Sequence, residues 1–410
     1  MKNLLLLFIA LTLFAGCNNN EPDQGKEPGT INLTSAQKQR VVQDNDFSFD
    51  LLKETIKNSD ESNVFISPLS VSLALGMLRN GAVGTTKTEM EAALKMSGLS
   101  DSEINEYYRL MQSNLPGMDP KTKLSIANSI WARDDISFKV KPEFLKTNSD
   151  YFNAYIKTLD FNQTWALDTI NGWANRKTNG LIPKVLTDID SSIMMLLMNA
   201  IYFKGTWVTQ FDKKATSEYA FTNEFNAQVK VNMMNATDTF AYASDDKAQY
   251  LDMPYGNKSF SMTVILPTAT KTTDDVLNQL NSSSFSKIVS EMKVQKVHVF
   301  FPRFKVKNTF MLNAMLQSMG MKKAFQENAE FDGIASMKPL FVSFVQHDTY
   351  VEVTEEGTEA AAVTTIGVGT TSVGPTEPYF IANKPFLFVI RERSTGVILF
   401  VGKMGNVEKY

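Results

Sequence analysis

The stretch HDTYVEVTEEGTEAAAVTT, His347 to Thr365, carries two patterns in succession. Up to Thr354 it continues a strand-like run that opens at Phe341. After Glu355, Glu356 and Gly357 the character changes: Thr358 is followed by Ala360, Ala361 and Ala362, and no charge occurs between Glu359 and Glu377. In an extended strand, alternate side chains share a face. One face would hold Thr358, Ala360, Ala362, Thr364, Ile366 and Val368, all small or apolar. The other would hold Glu359, Ala361, Val363, Thr365, Gly367 and Gly369, so the single charge points to solvent. Such a segment suits insertion into the middle of a sheet, for which a permanently exposed loop has no need. The bare pattern also fits an ordinary buried strand or a flexible Thr/Gly loop.

With 410 residues and 43% hydrophobic composition the chain can bury one large core or two ordinary ones. Lys and Arg number 41 against 44 Asp and Glu, a formal charge of -3. That is too weak a field to attract a phosphate backbone, so nucleic acid is not an expected partner. At the N-terminus Lys2 precedes an apolar run from Leu4 to Leu11 that continues to Phe14 and ends at Ala15 and Gly16. Residues 1–16 read as a secretory leader, too short to span a bilayer as a stable helix. Cys17, the only cysteine, stands in FAGC, which resembles the bacterial lipoprotein box where the cysteine is acylated and becomes the mature N-terminus. The box usually opens with Leu, and here Phe14 occupies that place; the other reading of Cys17 is a free or cleaved-off thiol. Asn18 to Gly29 has no aliphatic or aromatic residue, so 17–34 reads as a flexible tether and 35–410 as the folded domain. The expectation is an exported protein, lipid-anchored to the bacterial envelope on its periplasmic or cell-surface side, with the extracellular space as an alternative.

Apolar residues between Ser35 and Lys57 recur at helical spacing, enough for one or two helices. Ser67-Pro68 offers a polar cap and a first-turn proline to a helix over Leu69 to Leu78, in which Ser72, Ala74 and Gly76 leave room for a close neighbour. Ile126 to Trp131, Gln249 to Met253, Phe260 to Leu266, Val294 to Phe301, Phe386 to Arg391 and Val397 to Val401 read as strands, and an apolar run from Ile193 ends at Lys204-Gly205-Thr206-Trp207. Helices dominate the first half and strands the second. Without a repeat or a second linker, one α+β domain with large antiparallel sheets is expected.

Catalytic patterns are missing. The chain has two histidines, His298 and His347, and no GxSxG, HExxH or glycine-rich phosphate loop. A Ser-His-Asp hydrolase built on His347 lacks any marked nucleophile turn. His298, in VQKVHVFF, reads as an ordinary strand residue. Two distant histidines and one cysteine make no metal-ligand cluster, and no cofactor is implied.

Six stretches, in order, resemble the serpin family. They are NVFISPLSVSLALGMLRNGAVGTT (Asn63 to Thr86), INGWANRKTNGLIPKVL (Ile170 to Leu186), LMNAIYFKGTWVTQF (Leu197 to Phe211), FPRFKV (Phe301 to Val306), the His347–Thr365 stretch and NKPFLFVI (Asn383 to Ile390). The resemblance covers nearly all of the chain beyond the tether. It implies a serpin fold with three β-sheets, about eight to nine helices and an exposed reactive-centre loop. It further implies a monomeric suicide inhibitor rather than an enzyme: a protease cuts the loop, an acyl-enzyme forms, and the cut loop enters the main sheet.

By the same resemblance Glu355, Glu356, Gly357, Thr358, Glu359, Ala360, Ala361 and Ala362 form the hinge of that loop. Ser67, Ser70, Asn199 and His347 form the polar shutter beneath the sheet's opening point, and Trp207 and Arg303 belong to the breach, where Arg303 and Glu355 often pair. Counting down the loop from Glu355 places the scissile bond at Thr371-Ser372, with Val373 as an alternative. Counting back from Asn383-Lys384-Pro385 places it near Gly374. Between Ala360 and Thr376 there is no Lys, Arg, Phe or Tyr, which favours proteases reading small residues. Elastase- or subtilisin-like enzymes, and papain-like cysteine proteases, are the expected targets. The region Asp101 to Leu115 is acidic, unlike a glycosaminoglycan site. The alternative is a non-inhibitory member acting as a binding or scaffold protein; such members often carry bulky, charged or proline residues in the hinge, and Thr358 to Ala362 lacks bulky residues and proline.

Overall fold

A computed structural model describes residues 27–358 and 377–409. Thr34 opens the first helix, α1 (Ser35–Lys57), with a capping box in which Thr34 and Gln37 each satisfy the other's backbone N–H. After β1 (Asn63–Ile66), Ser67 caps α2 (Pro68–Arg79) by accepting from the Ser70 N–H, with Pro68 in the first turn as its fixed φ permits. Three further helices follow, α3 (Gly84–Ala93), α4 (Asp101–Asn114) and α5 (Pro142–Phe152), with β2 (Thr122–Arg133) between the last two. Gly76 lets α4 and α5 approach α2: an added Cβ would stand 3.1 Å from Tyr108 and 3.2 Å from Phe152.

Beyond α5 come β3 (Tyr155–Leu159), α6 (Thr164–Lys177), β4 (Met195–Thr206), β5 (Ser217–Thr222), β6 (Gln228–Ser244), β7 (Ala248–Tyr255) and β8 (Phe260–Pro267). Two short helices, α7 (Thr273–Leu277) and α8 (Ser282–Glu291), lead into β9 (Lys293–Pro302) and β10 (Phe304–Met311), and α9 (Asn313–Ser318) follows. The chain ends with β11 (Gln346–Val353), β12 (Gly357–Thr358), β13 (Tyr379–Ile381), β14 (Phe386–Glu392) and β15 (Ile398–Met404).

Among the described residues the strands form two continuous sheets. The main sheet runs β10-β11-β12-β4-β2-β3. The second runs β1-β15-β14-β8-β7-β6-β9-β13, with β5 also on β6. Two of the three expected sheets are thus joined, because the 17-residue β6 pairs with β5, β9 and β7 along successive parts of its length. The strand expected from Phe341 begins only at Gln346. Where β10 ends at Met311, Val345 and Val342 turn their backbone groups to Leu312, Asn313 and Ala324 instead of to a ladder.

The main core lies between the two sheets. Phe65 stacks on Phe400 at 5.1 Å and on Phe388 at 5.7 Å, with Phe304 5.5 Å from Phe388. A separate cluster, including Trp131, Ile170, Trp173, Leu186 and Leu196, fastens α6 to the outer face of β2 and β4. Residues 27–33, within the stretch expected to be a tether, lie against the body: Ile31 is buried and the Gly29 N–H donates to Ser259 Oγ at 2.9 Å. No described helix is long and apolar enough to cross a membrane.

Candidate functional site: a slot in the main sheet

β4 and β11, neighbours in the middle of the main sheet, do not pair with each other among the described residues. They are joined only at the top, by the two residues of β12. Thr354 and Gly357 exchange backbone hydrogen bonds of 2.8 and 3.2 Å, folding the chain back tightly after β11. Gly357 and Thr358 then lie antiparallel to Thr206 and Gly205 on one side, and Thr358 faces Val353 on the other. Only glycine fits at 357, since a Cβ would stand 2.1 Å from the Gly205 carbonyl oxygen.

Side chains pin this fold-back. The Glu356 and Glu355 carbonyls accept from the Trp207 and Phe211 N–H groups at 2.8 and 2.9 Å. The Trp207 ring stacks on Tyr255 with centroids 4.3 Å apart, and its indole N–H donates to the Thr354 carbonyl at 3.0 Å. The Tyr255 hydroxyl meets Thr358 Oγ1 at 2.7 Å, and burial raises the Tyr255 phenol above its ordinary range, so it stays protonated. Glu355 is 2% exposed, accepts from Thr216 Oγ1 at 2.7 Å and lies 3.6 Å from Arg303. The acidic member of this pair thus lies inside. Burial alone would raise the Glu356 carboxyl, but hydrogen bonds from Lys213 and Thr354 outweigh it and hold the group below the usual carboxylate range.

Lower down, the slot opens into a cavity of about 370 Å³ bounded by α2, α6, β4 and the segment leading into β11. Ser70, Asn199 and His347 all line it. His347 Nε2 accepts from the Ser67 N–H at 2.9 Å, and Ser67 Oγ donates to the Leu399 carbonyl at 2.8 Å. Burial pushes the His347 imidazole down to about 4, so it is neutral at physiological pH. Its acceptor nitrogen is taken by a main-chain N–H, which leaves it no lone pair for activating a hydroxyl.

Asn199 joins the same wall but not the same hydrogen bonds: its Nδ2 donates to Asn128 Oδ1 at 2.7 Å, and Asn128 in turn donates to the Phe152 carbonyl. Three residues of this lock escaped the sequence analysis. They are Asn128, Asn308, whose Oδ1 accepts from the Phe65 N–H at 2.8 Å, and Thr349, whose Oγ1 donates to the Phe65 carbonyl at 2.6 Å. Each is an ordinary polar residue in a strand pattern, with a partner far away in sequence.

His298 differs from its expected part as a plain strand residue. Its Nε2 lies 2.8 Å from Glu377, its Nδ1 2.8 Å from Thr237 Oγ1, and its ring stacks on Tyr379 at 4.4 Å. Lys296 also holds Glu377, at 2.9 Å. This clasp fixes the far end of the loop, where β13 runs parallel to β9 for three residues. The hinge residues Glu359, Ala360, Ala361 and Ala362, the bond Thr371-Ser372, Val373 and Cys17 lie outside the described residues. Among the described residues no cluster of His, Cys, Asp or Glu has metal-binding geometry.

Comparison with known proteins agrees with this geometry. The family model described as Serpin (serine protease inhibitor) matches residues 42–407. Iripin-1 of Ixodes ricinus is 36% identical over 370 residues, covering 88% of this chain and 93% of its own. The human leukocyte elastase inhibitor is 31% identical over 381 residues, covering 88% and 97%. Among solved structures, the thermophilic serpin tengpin in its native state superposes with a TM-score of 0.84 at 32% identity, over 93% of this chain and 97% of that one.

Proposed function

The chain belongs to the serpin family, and on that footing we propose that it is a suicide inhibitor of serine-type endopeptidases rather than an enzyme. One observation carries the reading: β12 already occupies the top of the slot, antiparallel to both flanking strands. Continuing that register brings Ala360 level with Phe203 and Val351, Ala362 with Ile201 and Thr349, and Thr364 with Asn199 and His347. The small face of the segment then turns toward the core, and the one hydroxyl in mid-segment arrives beside the polar groups of the lock. Both slot edges regain the ladder partner they lack, each net hydrogen bond adding about 1 kcal/mol.

The order of events follows. A protease attacks the loop and forms an acyl-enzyme; the cut separates Thr358 from the Glu377 clasp; the freed strand fills the slot and carries the attached protease with it. The resting form is then a kinetically held state rather than the most stable one. The absence of cationic and aromatic residues from Ala360 to Thr376 points to elastase- or subtilisin-like targets, and to papain-like cysteine proteases as further ones. The likeness to a leukocyte elastase inhibitor supports the first of these. Incubation with elastase or subtilisin should give a complex that survives SDS, with the cut at Thr371-Ser372 or Val373 by mass spectrometry. Cleavage by every protease tried with no such complex would replace this reading by that of a binding or scaffold protein.

The proposal includes export and a lipid on Cys17, supported by the apolar leader and the FAGC sequence. In a bacterial host the full chain should partition with membranes, and a Cys17→Ser version should not. Equal partitioning of the two would remove the anchor.

A further inference from the structure

The cavity in the lower slot stands clear of β12. That strand pairs with Gly205 and Thr206, whereas the part of β4 that lines the cavity runs from Met194 to Ile201. Val71 and Leu75 of α2, with Met198, Met337, Leu340 and Phe344, give it apolar walls. Its volume of about 370 Å³ is that of a small-molecule site, and methionine side chains adjust to the shape of an occupant. Ser192, Phe341 and Ser343 also line it and are exposed, so it opens to solvent near the first residues of β4 and β11.

Neutral polar groups on this wall lack hydrogen-bond partners among the described residues. Ser70 is 4% exposed, and although its backbone N–H donates to Ser67, its hydroxyl makes no hydrogen bond. Asn199 Oδ1 and the Trp173 indole N–H are both buried and unpaired. Buried polar groups are normally satisfied, so these call for a partner. No Lys or Arg lines the cavity, and buried His347 is neutral at physiological pH. Asp348, the one carboxylate on the wall, already accepts from Thr309 and Gln346. An apolar molecule with a hydroxyl or amide group complements such a wall, whereas an anionic head would enter with no cation to meet it. We propose that the cavity binds a neutral amphiphile, a short aliphatic alcohol or amide, whose polar group pairs with the Ser70 hydroxyl while its chain lies among Val71, Leu75 and Met198. Binding itself requires nothing of the loop. Its consequence rests on the loop-insertion reading: an occupant stands in the path of the entering strand and delays it.

Titration calorimetry of the uncut protein with 1-octanol, and with octanoate at pH 8 as its charged counterpart, tests the site. Octanol should saturate a single site, and octanoate should bind at least about tenfold more weakly. Ser70→Ala should weaken octanol about fivefold. Ala74→Phe, which fills the cavity from α2, should abolish binding. Absence of saturable binding, equal binding of octanoate, or unchanged binding to either variant would overturn the site and leave loop insertion standing. Saturating octanol should also slow formation of the SDS-resistant complex with elastase. Octanol that binds as expected but leaves that rate unchanged would keep the site and remove its blocking of the strand.

Discussion

One cut in the chain between Thr358 and Glu377 is expected to raise the melting temperature by about 10 °C or more. Filling the slot adds roughly ten net ladder hydrogen bonds at about 1 kcal/mol each, and a domain of this size gains about 1.3 °C per kcal/mol. The burial of Ile366 and Val368 adds to this in the same direction. A Thr358→Arg variant, cut at the same place, should show little or no rise. Thr358 is 2% exposed and its hydroxyl lies against Tyr255, so a guanidinium there has to enter an apolar wall beside a ring that offers no carboxylate. The same variant should turn from inhibitor to substrate, consumed by elastase without a stable complex. Differential scanning calorimetry on cut and uncut protein decides the matter. A cut wild-type chain that melts where the uncut one does would end the account.

Acid should loosen the resting molecule through His347. In the unfolded chain an imidazole binds its proton near the ordinary 6.5, whereas buried His347 holds out to about 4. The group's contribution is therefore complete above pH 6.5 and is lost as pH falls from 6.5 to 4, by about 3 kcal/mol in all. Protonation would also turn the acceptor of the Ser67 N–H into a donor, parting α2 from β11 at the level of Asn199. Urea midpoints at pH 7 and pH 4.5 should drop steeply for wild type and less for a His347→Asn variant. Parallel drops in the two proteins would show that carboxylates elsewhere control the acid limb.

The features that could be seen in the sequence are those whose chemistry is local. Ser67-Pro68 announces α2 because cap and first-turn proline are neighbours in sequence, and the small face from Thr358 to Val368 is visible because strand alternation needs no partner to be counted. What escaped was settled by register. Asn199 lies where expected, but its hydrogen bond goes to Asn128, because β2 places those two amides directly opposite each other. His298 looked unremarkable because Glu377 and Tyr379 stand far along the chain. The apolar stretch Phe341 to Val345 looked like strand, yet its backbone groups are claimed by the turn after β10.

Helix α6 adds a last consequence. Its Trp173 and Ala174 line the slot, and its packing against Trp131, Leu186 and Leu196 forms a cluster apart from the main core. A strand that fills the slot passes beneath this helix, which has to lift and settle again. The ease of that lift is set by the α6 cluster, so resizing Ile170 or Leu186 would change the rate at which a strand enters the slot as well as the stability of the fold.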